Sequence, residues 1–454
     1  MKKDKDTIIA PATSVGDSGI AVVRISGDRA LPFLQIVFIS HINTDHFDSH
    51  RLYLGKIYDS ADLVIDEVMA VYMAPPRTYT CEAVVEIHCH GSRQIVRRIL
   101  DLAYDHDIRL AQPGEFTYRA YLNGRIDLVQ AEAVSRLIQS STEFSRRSAL
   151  QQLDGFLSRQ VYSFSTTVKQ VLVQIEAWID FPEEALPTEN MNQIVDSINL
   201  AHRQMLELTN SYHSGQFVHE GAIVALAGLP NAGKSSLMNS LLREDRSIVS
   251  PVPGTTRDTI EHSFQLDGIQ VRLVDTAGLR DSDDYIEQEG VRRAKTALNR
   301  ADLVLLVLDG TIPPHEEFIE LLSYFSGTAT MLVVNKSDII TSEPDLSFYN
   351  GPVVRVSAKL GDGLSELKDG IISYLLHDHL PDSEQSFLTE RRHYEALSAA
   401  ASALNNFLVN MDSVELDLLS IDLRACLHAL ASITGEVSSE SVLDEIFSSF
   451  CIGK

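Results

Sequence analysis

Cysteine is scarce in this chain: four in 454 residues, none in a C-x-x-C spacing. That argues against a disulfide framework and points to a reducing compartment. Long apolar runs are missing too. The best, "LVLLVLDG" from Leu303, is far too short to span a bilayer. The opening "MKKDKDTIIAPATS" is basic but lacks the apolar stretch of a secretory signal. A cytoplasmic protein with no membrane segment is expected. Positive charge is short as well, with 38 Lys and Arg against 63 Asp and Glu, a formal net charge of −25. Affinity for nucleic acid rests mostly on Lys and Arg at phosphates. Non-specific RNA binding is therefore opposed, and any RNA site is local or shared with a partner. Proline and glycine are not enriched, which argues against large disordered regions.

What is present suffices for globular cores: 44% of residues are hydrophobic. A chain this long is expected to form two or three domains. In residues 1–120, "GIAVVRISG" and "AVVEIHCHG" read as strands and "SRQIVRRILDLAYDH" as a helix, with loops at Pro75-Pro76 and "QPGEF". Residues 121–215 are predicted helical. Leu128, Ala131, Val134, Leu137 and Ile138 share one face, and Gly155 is the only breaker before Phe181. Residues 216–380 alternate short apolar strands with helices, the pattern of a parallel sheet with crossover helices. Residues 381–454 return to helix. The predicted fold class is multidomain α/β and α. An N-terminal α/β domain (1–120) is followed by a helical domain built from two segments (121–215 and 381–454). A P-loop domain of Ras-like type with a mostly parallel sheet (216–380) is inserted between those segments.

The inserted domain carries the sharpest chemistry. "GLPNAGKS", Gly228 to Ser235, fits G-x-x-x-x-G-K-[ST] between a strand and a helix. Backbone N–H groups around Asn231, Ala232 and Gly233 would cradle phosphates. Lys234 would reach the β- and γ-phosphates, Ser235 would ligate Mg²⁺, and Ser236 is expected among the GTP-binding residues. "DTAG" (Asp275, Thr276, Ala277, Gly278) ends a strand, so Asp275 can reach Mg²⁺ through water and Gly278 can face the γ-phosphate. "NKSD" (Asn335, Lys336, Ser337, Asp338) ends another. The Asp338 carboxylate can accept two hydrogen bonds from the N1–H and N2–H₂ edge of guanine, a pair adenine lacks. "SAK" (Ser357, Ala358, Lys359) can contact the base through its backbone. Four motifs in this order are not explained by glycine-rich turns or single polar residues. "PGTTRD" occupies the place of the first switch loop, where either Thr256 or Thr255 would supply the second Mg²⁺ ligand. Leu279 stands where Ras-like GTPases carry a water-orienting glutamine. The acids of "RDSDDYIEQEG" include candidates for that task alongside a solvated face.

These stretches, with "EIHCHG", "PGEFTYRAYLNGRIDLVQAEAV", "IDFPEE" and terminal "FCIGK", resemble the MnmE (TrmE) family of tRNA-modification GTPases over essentially the whole chain. The resemblance implies an N-terminal domain that binds a one-carbon tetrahydrofolate (5-formyl- or methylene-tetrahydrofolate) and forms a homodimer. It implies a partner, the flavoprotein MnmG, in a heterotetramer or larger assembly, with FAD only on that partner. The joint product is an aminomethyl- or carboxymethylaminomethyl-type group on carbon 5 of the wobble uridine of certain tRNAs. GTP hydrolysis would drive G-domain association, with K⁺ in the electrostatic role of an arginine finger.

Carried over residue by residue, the nucleotide segment includes Ser250, Pro251, Val252, Pro253, Gly254, Thr255 and Thr256. Asn231, Ser250, Val252 and Thr255 match K⁺ ligands, which leaves Thr256 as the Mg²⁺ ligand. Glu287 matches the water-orienting glutamate, with Glu289 as second choice. Arg24, Glu86, Arg125 and Lys454 match folate positions. Many relatives carry lysine at 125, so the charge is kept but the donor geometry is not.

Strand alternation places Glu86, His88 and His90 on one face and Val85, Ile87 and Cys89 on the other. The first set reads as a pocket wall or a solvated face. Zinc together with Cys81 is disfavoured, because one strand does not supply a closed tetrahedral set. Arg146 and Arg147 read as a solvated helix face rather than an RNA contact. The tail is expected to return to the folate site, with Phe450 packing, Gly453 turning and Lys454 at the ligand. Cys451 is either a small buried hydrophobe or a group with a chemical role there. Two rivals remain: a regulatory GTPase switch that binds RNA or ribosomes without modification chemistry, and a folate-binding scaffold for the flavoprotein.

Overall fold

The computed structural model describes residues 6–14, 16–42, 44, 46–181, 188–244, 261–266, 268–275, 301–325, 327–376, 388–411 and 415–453. They fall into two compact units, one comprising residues 1–135, 152–166 and 427–454, the other 136–151 and 167–426. Among the described residues no helix is long and apolar enough to cross a membrane.

The first unit is built on seven strands: β1 (Ile8–Pro11), β2 (Ser18–Ser26), β3 (Phe38–Ser40), β4 (Arg51–Tyr58), β5 (Val64–Met73), β6 (Val84–Gly91) and β7 (Arg109–Leu110). Their order is β3-β4-β5-β6-β2-β1-β7. Among the described residues only the β1–β7 pair is parallel. Helices Ala30–Val37 and Arg93–Asp105 bury Phe33, Leu34, Val96, Ile99 and Leu102 against Val23, Ile25, Val85, Ile87 and Cys89. The alternation read from β6 thus holds. Ser92 caps the second helix by accepting from Gln94 N. β4 and β5 escaped the sequence reading because Leu52 and Leu54 are exposed apolar residues that blur the period of two.

The helical stretch has a second break that the sequence reading missed. Helices span Leu128–Gln139, Glu143–Leu153 and Phe156–Asp180. Between the first two, Thr142 Oγ1 accepts from Ser145 N (3.0 Å) while Ser145 Oγ accepts from Thr142 N (3.2 Å). Hydroxyls that bond local backbone in this way compete with a continuing helix.

The C-terminal helix Glu440–Ser448 packs in the first unit. Phe447 meets Tyr118 edge-on at 5.1 Å between centroids and is buried with Leu128, Ala131 and Phe450. Gly114 is left-handed (φ 68°), and a Cβ there would run into the Phe447 carbonyl.

A charge network ties the segment before β1 to the segment before β6, to β7 and to the helix Glu115–Leu122. Arg119 on the helix Glu115–Leu122 bonds Asp6, Glu82 and Glu115, and Arg109 bonds Asp6 and Glu115. The Arg119 and Glu115 side chains are 9% and 5% exposed, so each charge depends on its partners for solvation. Burial alone would raise the Glu115 carboxyl, but Arg109, the Gln112 N–H and Arg119 hold it below the usual carboxylate range.

In the second unit, strands β8 (Ala222–Ala227), β9 (Glu261–Leu266), β10 (Ile269–Asp275), β11 (Leu303–Asp309), β12 (Thr330–Asn335) and β13 (Val353–Arg355) lie in the order β13-β12-β11-β8-β10-β9. All pairs are parallel except β10–β9. Both faces are covered. Leu305 and Val307 pack with Leu237 and Leu367 on one side, and Leu306 and Leu308 with Phe318 on the other. That explains the unbroken apolar runs of β8, β11 and β12. The passages into and out of this α/β region are tied: Leu388 N donates to Ser211 Oγ (3.1 Å), and Tyr212 stacks on Tyr394 at 4.6 Å. The fold is thus an N-terminal α/β part, helices from two chain segments, and an α/β P-loop part between those segments.

The carboxylate network predicts a pH dependence. A carboxyl held low in the folded chain contributes stability above its ordinary value of about 4.3 and loses it as pH falls through the lowered one. Urea titrations from pH 7 downward should show the first unit weakening below about pH 4.3. Glu115→Gln should lower stability at pH 7 by about 1–3 kcal/mol and flatten that decline.

Candidate functional site

β8 ends at Ala227 and runs into the phosphate loop, which enters the helix Lys234–Glu244. Asn231 is left-handed (φ 63°) and exposed. Gly233 is also at positive φ (93°), and a Cβ there would strike the Asn335 amide. Lys234 Nζ is folded back over the loop, donating to the carbonyls of Gly228 (2.8 Å) and Leu229 (3.0 Å). The Ser235 hydroxyl stands exposed on the first turn of the helix.

Asn335, at the end of β12, joins three of the motifs. Its Nδ2 donates to Ala232 O (2.9 Å) in the phosphate loop, and its Oδ1 accepts from Ala358 N (3.0 Å) in "SAK". The Ala358 N–H is therefore engaged by Asn335 in this state. Asp338 Oδ1 accepts from Ser357 Oγ (2.7 Å), and the same hydroxyl oxygen accepts from Leu360 N. Ser240 Oγ donates to Ala358 O (2.6 Å), anchoring "SAK" to the helix that follows the phosphate loop. Lys336 is left-handed (φ 65°), and its ammonium pairs with Asp309 at 2.5 Å. Burial would raise the Asp309 carboxyl, but bonds from Lys336 and Thr311 keep it below the usual range. Sequence reasoning missed Ser240 and Asp309, because neither belongs to a motif.

Asp275 ends β10 in register with Leu226. Ser250, Pro251, Val252, Pro253, Gly254, Thr255, Thr256, Thr276, Ala277, Gly278, Glu287, Glu289 and Lys454 lie outside the described residues.

A second cluster lies on the open face of the first unit's sheet. Arg24 on β2 pairs with Glu86 on β6 in register, and Arg24 Nε donates to Glu86 Oε1 at 2.8 Å. Both side chains are about one-fifth exposed (21% and 20%), open enough to meet a ligand. Glu86 Oε2 lies 3.6 Å from His88 Nε2, a buried atom with no hydrogen-bond partner among the described residues. His90 is exposed and bonds Asp66 (2.7 Å). Arg125 is exposed and donates to Tyr79 O at 2.9 Å.

At the C-terminus, Phe450 is buried, Cys451 and Ile452 are exposed, and Gly453 turns with φ 96° against the Pro11 carbonyl. Pro11 pairs with Val23 and Ala10 with Arg24, so the tail reaches the strand pair that bears Arg24. Cys89 and Cys426 are buried, and burial pushes their thiols up to about 11 and about 12. Arg146 and Arg147 are exposed and bonded to Glu143, as the solvated-face reading expected.

Comparison with known proteins matches the model described as the MnmE helical domain over residues 128–451, and that of the GTP-binding protein TrmE N-terminus over residues 7–125. The tRNA modification GTPase MnmE of Syntrophotalea carbinolica is 43% identical over 99% of both chains. That of Geotalea uraniireducens is 42% identical, again over 99% of both. Among solved structures, the G domain of the T. maritima FeoB iron transporter is 33% identical, covering 34% of this chain and 98% of its own, with a TM-score of 0.27. A match of this length and identity to full-length relatives, together with the two family models, means that the chain belongs to the MnmE (TrmE) family of tRNA modification GTPases.

Proposed function

We propose that this protein hydrolyses GTP to drive tRNA modification. With the FAD-dependent partner MnmG, it adds an aminomethyl- or carboxymethylaminomethyl-type group to carbon 5 of the wobble uridine. The observation that carries the reading is Asn335, whose side chain joins the phosphate loop to "SAK" beside the guanine-selecting Asp338. Backbone N–H groups at the start of the helix Lys234–Glu244 face the phosphates, where the helix dipole favours anions. Lys234 exchanges its carbonyl partners for phosphate oxygens. Asp338 accepts from the guanine edge while Ser357 steadies its other oxygen.

Ser235 and Thr256 would hold Mg²⁺, with Asp275 reaching it through water, and Asn231, Ser250, Val252 and Thr255 would hold K⁺. Held there, such ions would supply positive charge against the phosphate being transferred. The exposed Ser235 and the exposed, left-handed Asn231 fit those roles. Glu287 orients the attacking water.

Arg24, Glu86, Arg125 and Lys454 would hold a one-carbon tetrahydrofolate, which supplies the carbon unit. A free Glu86 oxygen beside the unpartnered His88 nitrogen suits a ligand that presents N–H groups. Cys451, exposed two residues before Gly453, acts on the ligand or its position. The homodimer forms on the same sheet face, where Leu52 and Leu54 on β4 and Met69 on β5 are exposed in rungs shared with Glu86 and His88. In this reading residues 1–120 form the folate and dimer domain, 121–215 and 381–454 the helical domain, and 216–380 the G domain.

Three measurements test this. GTP hydrolysis should run faster in KCl than in NaCl at equal ionic strength, and equal rates would remove K⁺ from the mechanism. In a reconstituted assay with MnmG and tRNA, Glu287→Ala should bind GTP but lose uridine modification. Full modification would favour the scaffold reading, while hydrolysis without any modification by the unaltered protein would favour a regulatory switch. Asn335→Ala strands a buried carbonyl and an N–H, each worth about 1–3 kcal/mol. Guanine-nucleotide affinity, read by fluorescent-nucleotide titration, should fall about 10- to 100-fold.

A further inference from the structure

We propose that Tyr79 is a positioning residue whose ring sets the two arginines of the candidate folate site. This deepens the folate reading above and rests on it. Arg24 comes from β2 and Arg125 from the turn after the helix Glu115–Leu122, so nothing in the chain's connectivity aligns them. Both guanidinium carbons lie over the Tyr79 ring, Arg125 at 4.8 Å and Arg24 at 5.6 Å from its centroid. Cations within about 6 Å of an aromatic face are attracted by its quadrupole. One ring therefore draws together two charges that would otherwise repel each other.

The ring is itself fixed at several points. The Tyr79 hydroxyl bonds Thr117 Oγ1 at 2.9 Å, and the Tyr79 carbonyl accepts from Arg125 Nη1 at 2.9 Å. The next residue is held as firmly: Thr80 Oγ1 bonds Ser26 Oγ (2.7 Å), and Thr80 O accepts from Asn123 Nδ2 (2.6 Å). Arg24 is further confined by Glu86 and by the buried Phe116 ring at 5.8 Å. Glu86 balances the charge of Arg24, whereas Arg125 pairs with no carboxylate among the described residues. Arg125 is thus the cation left to face an anionic ligand group, and Tyr79 determines where it points.

The test compares three substitutions in the full-length protein. Tyr79→Phe keeps the aromatic face and loses only the Thr117 bond. Tyr79→Leu and Tyr79→Met both remove the face, and Met, unbranched and adaptable in shape, serves should the Leu variant fold poorly. Binding of 5-formyl-tetrahydrofolate would be measured by calorimetry, with circular dichroism confirming the fold. The aliphatic variants should bind at least tenfold more weakly, about 1.4 kcal/mol, and Tyr79→Phe within about threefold of the unaltered protein, as expected where the ring face supplies most of the attraction. A merely structural role would move the Phe and aliphatic variants alike, and that result overturns the proposal. So does an aliphatic variant that binds as well as the unaltered protein. No binding by the unaltered protein overturns the folate reading, and this proposal with it.

Discussion

The first unit depends on one buried cation. The Arg119 guanidinium is almost sealed from water and takes its solvation from Asp6, Glu82 and Glu115. Those carboxylates come from the start of the chain, from the strap before β6 and from its own helix. Breaking a buried pair by removing one partner costs several kcal/mol, because the remaining charge stays dry. The strap can therefore hold one course only. That course carries Tyr79 under the arginines and places Glu82 against Ser26 on the strand that bears Arg24. A stability element and a candidate ligand wall share the same short stretch, and a change in either is felt by the other.

In the second unit an amide side chain has the corresponding role. Parallel strands deliver their C-terminal ends to one edge, which is where open α/β sheets bind ligands. Delivery alone leaves the phosphate loop and "SAK" on separate loops. Asn335 joins them, and Gly233 is required because no Cβ fits against that amide. The stacked Tyr212 and Tyr394, with the Ser211–Leu388 bond, bring the two passages of the α/β insertion side by side.

Much of this was legible in the chain. β2, β6, β8, β11 and β12 were read from their apolar runs or alternation, because burial on one or both faces writes a clear pattern. β4 and β5 were not, since Leu52, Leu54 and Met69 put apolar residues on the open face as well. The break at Ser140–Thr142 was missed because it depends on two hydroxyls bonding each other's backbone rather than on a glycine or proline. The phosphate-loop, guanine and folate candidates were found through local strings, and strings are what a sequence displays. Tyr79, Ser240 and Asp309 were not found, because each acts through a contact distant in sequence.

The sequence by itself determined the types of element, the P-loop chemistry and the family, because hydrophobic period and short motifs are local properties of a chain. Only the tertiary structure decided which loops share a site, which carboxylates neutralise Arg119 and which ring aligns Arg24 with Arg125. Those choices are made by distance and by exclusion of water. The turn at the C-terminal tail is decided in the same way: Gly453 packs against the Pro11 carbonyl, beside the strand pair that carries Arg24, because positive-φ backbone and close approach to a carbonyl leave no room for a side chain.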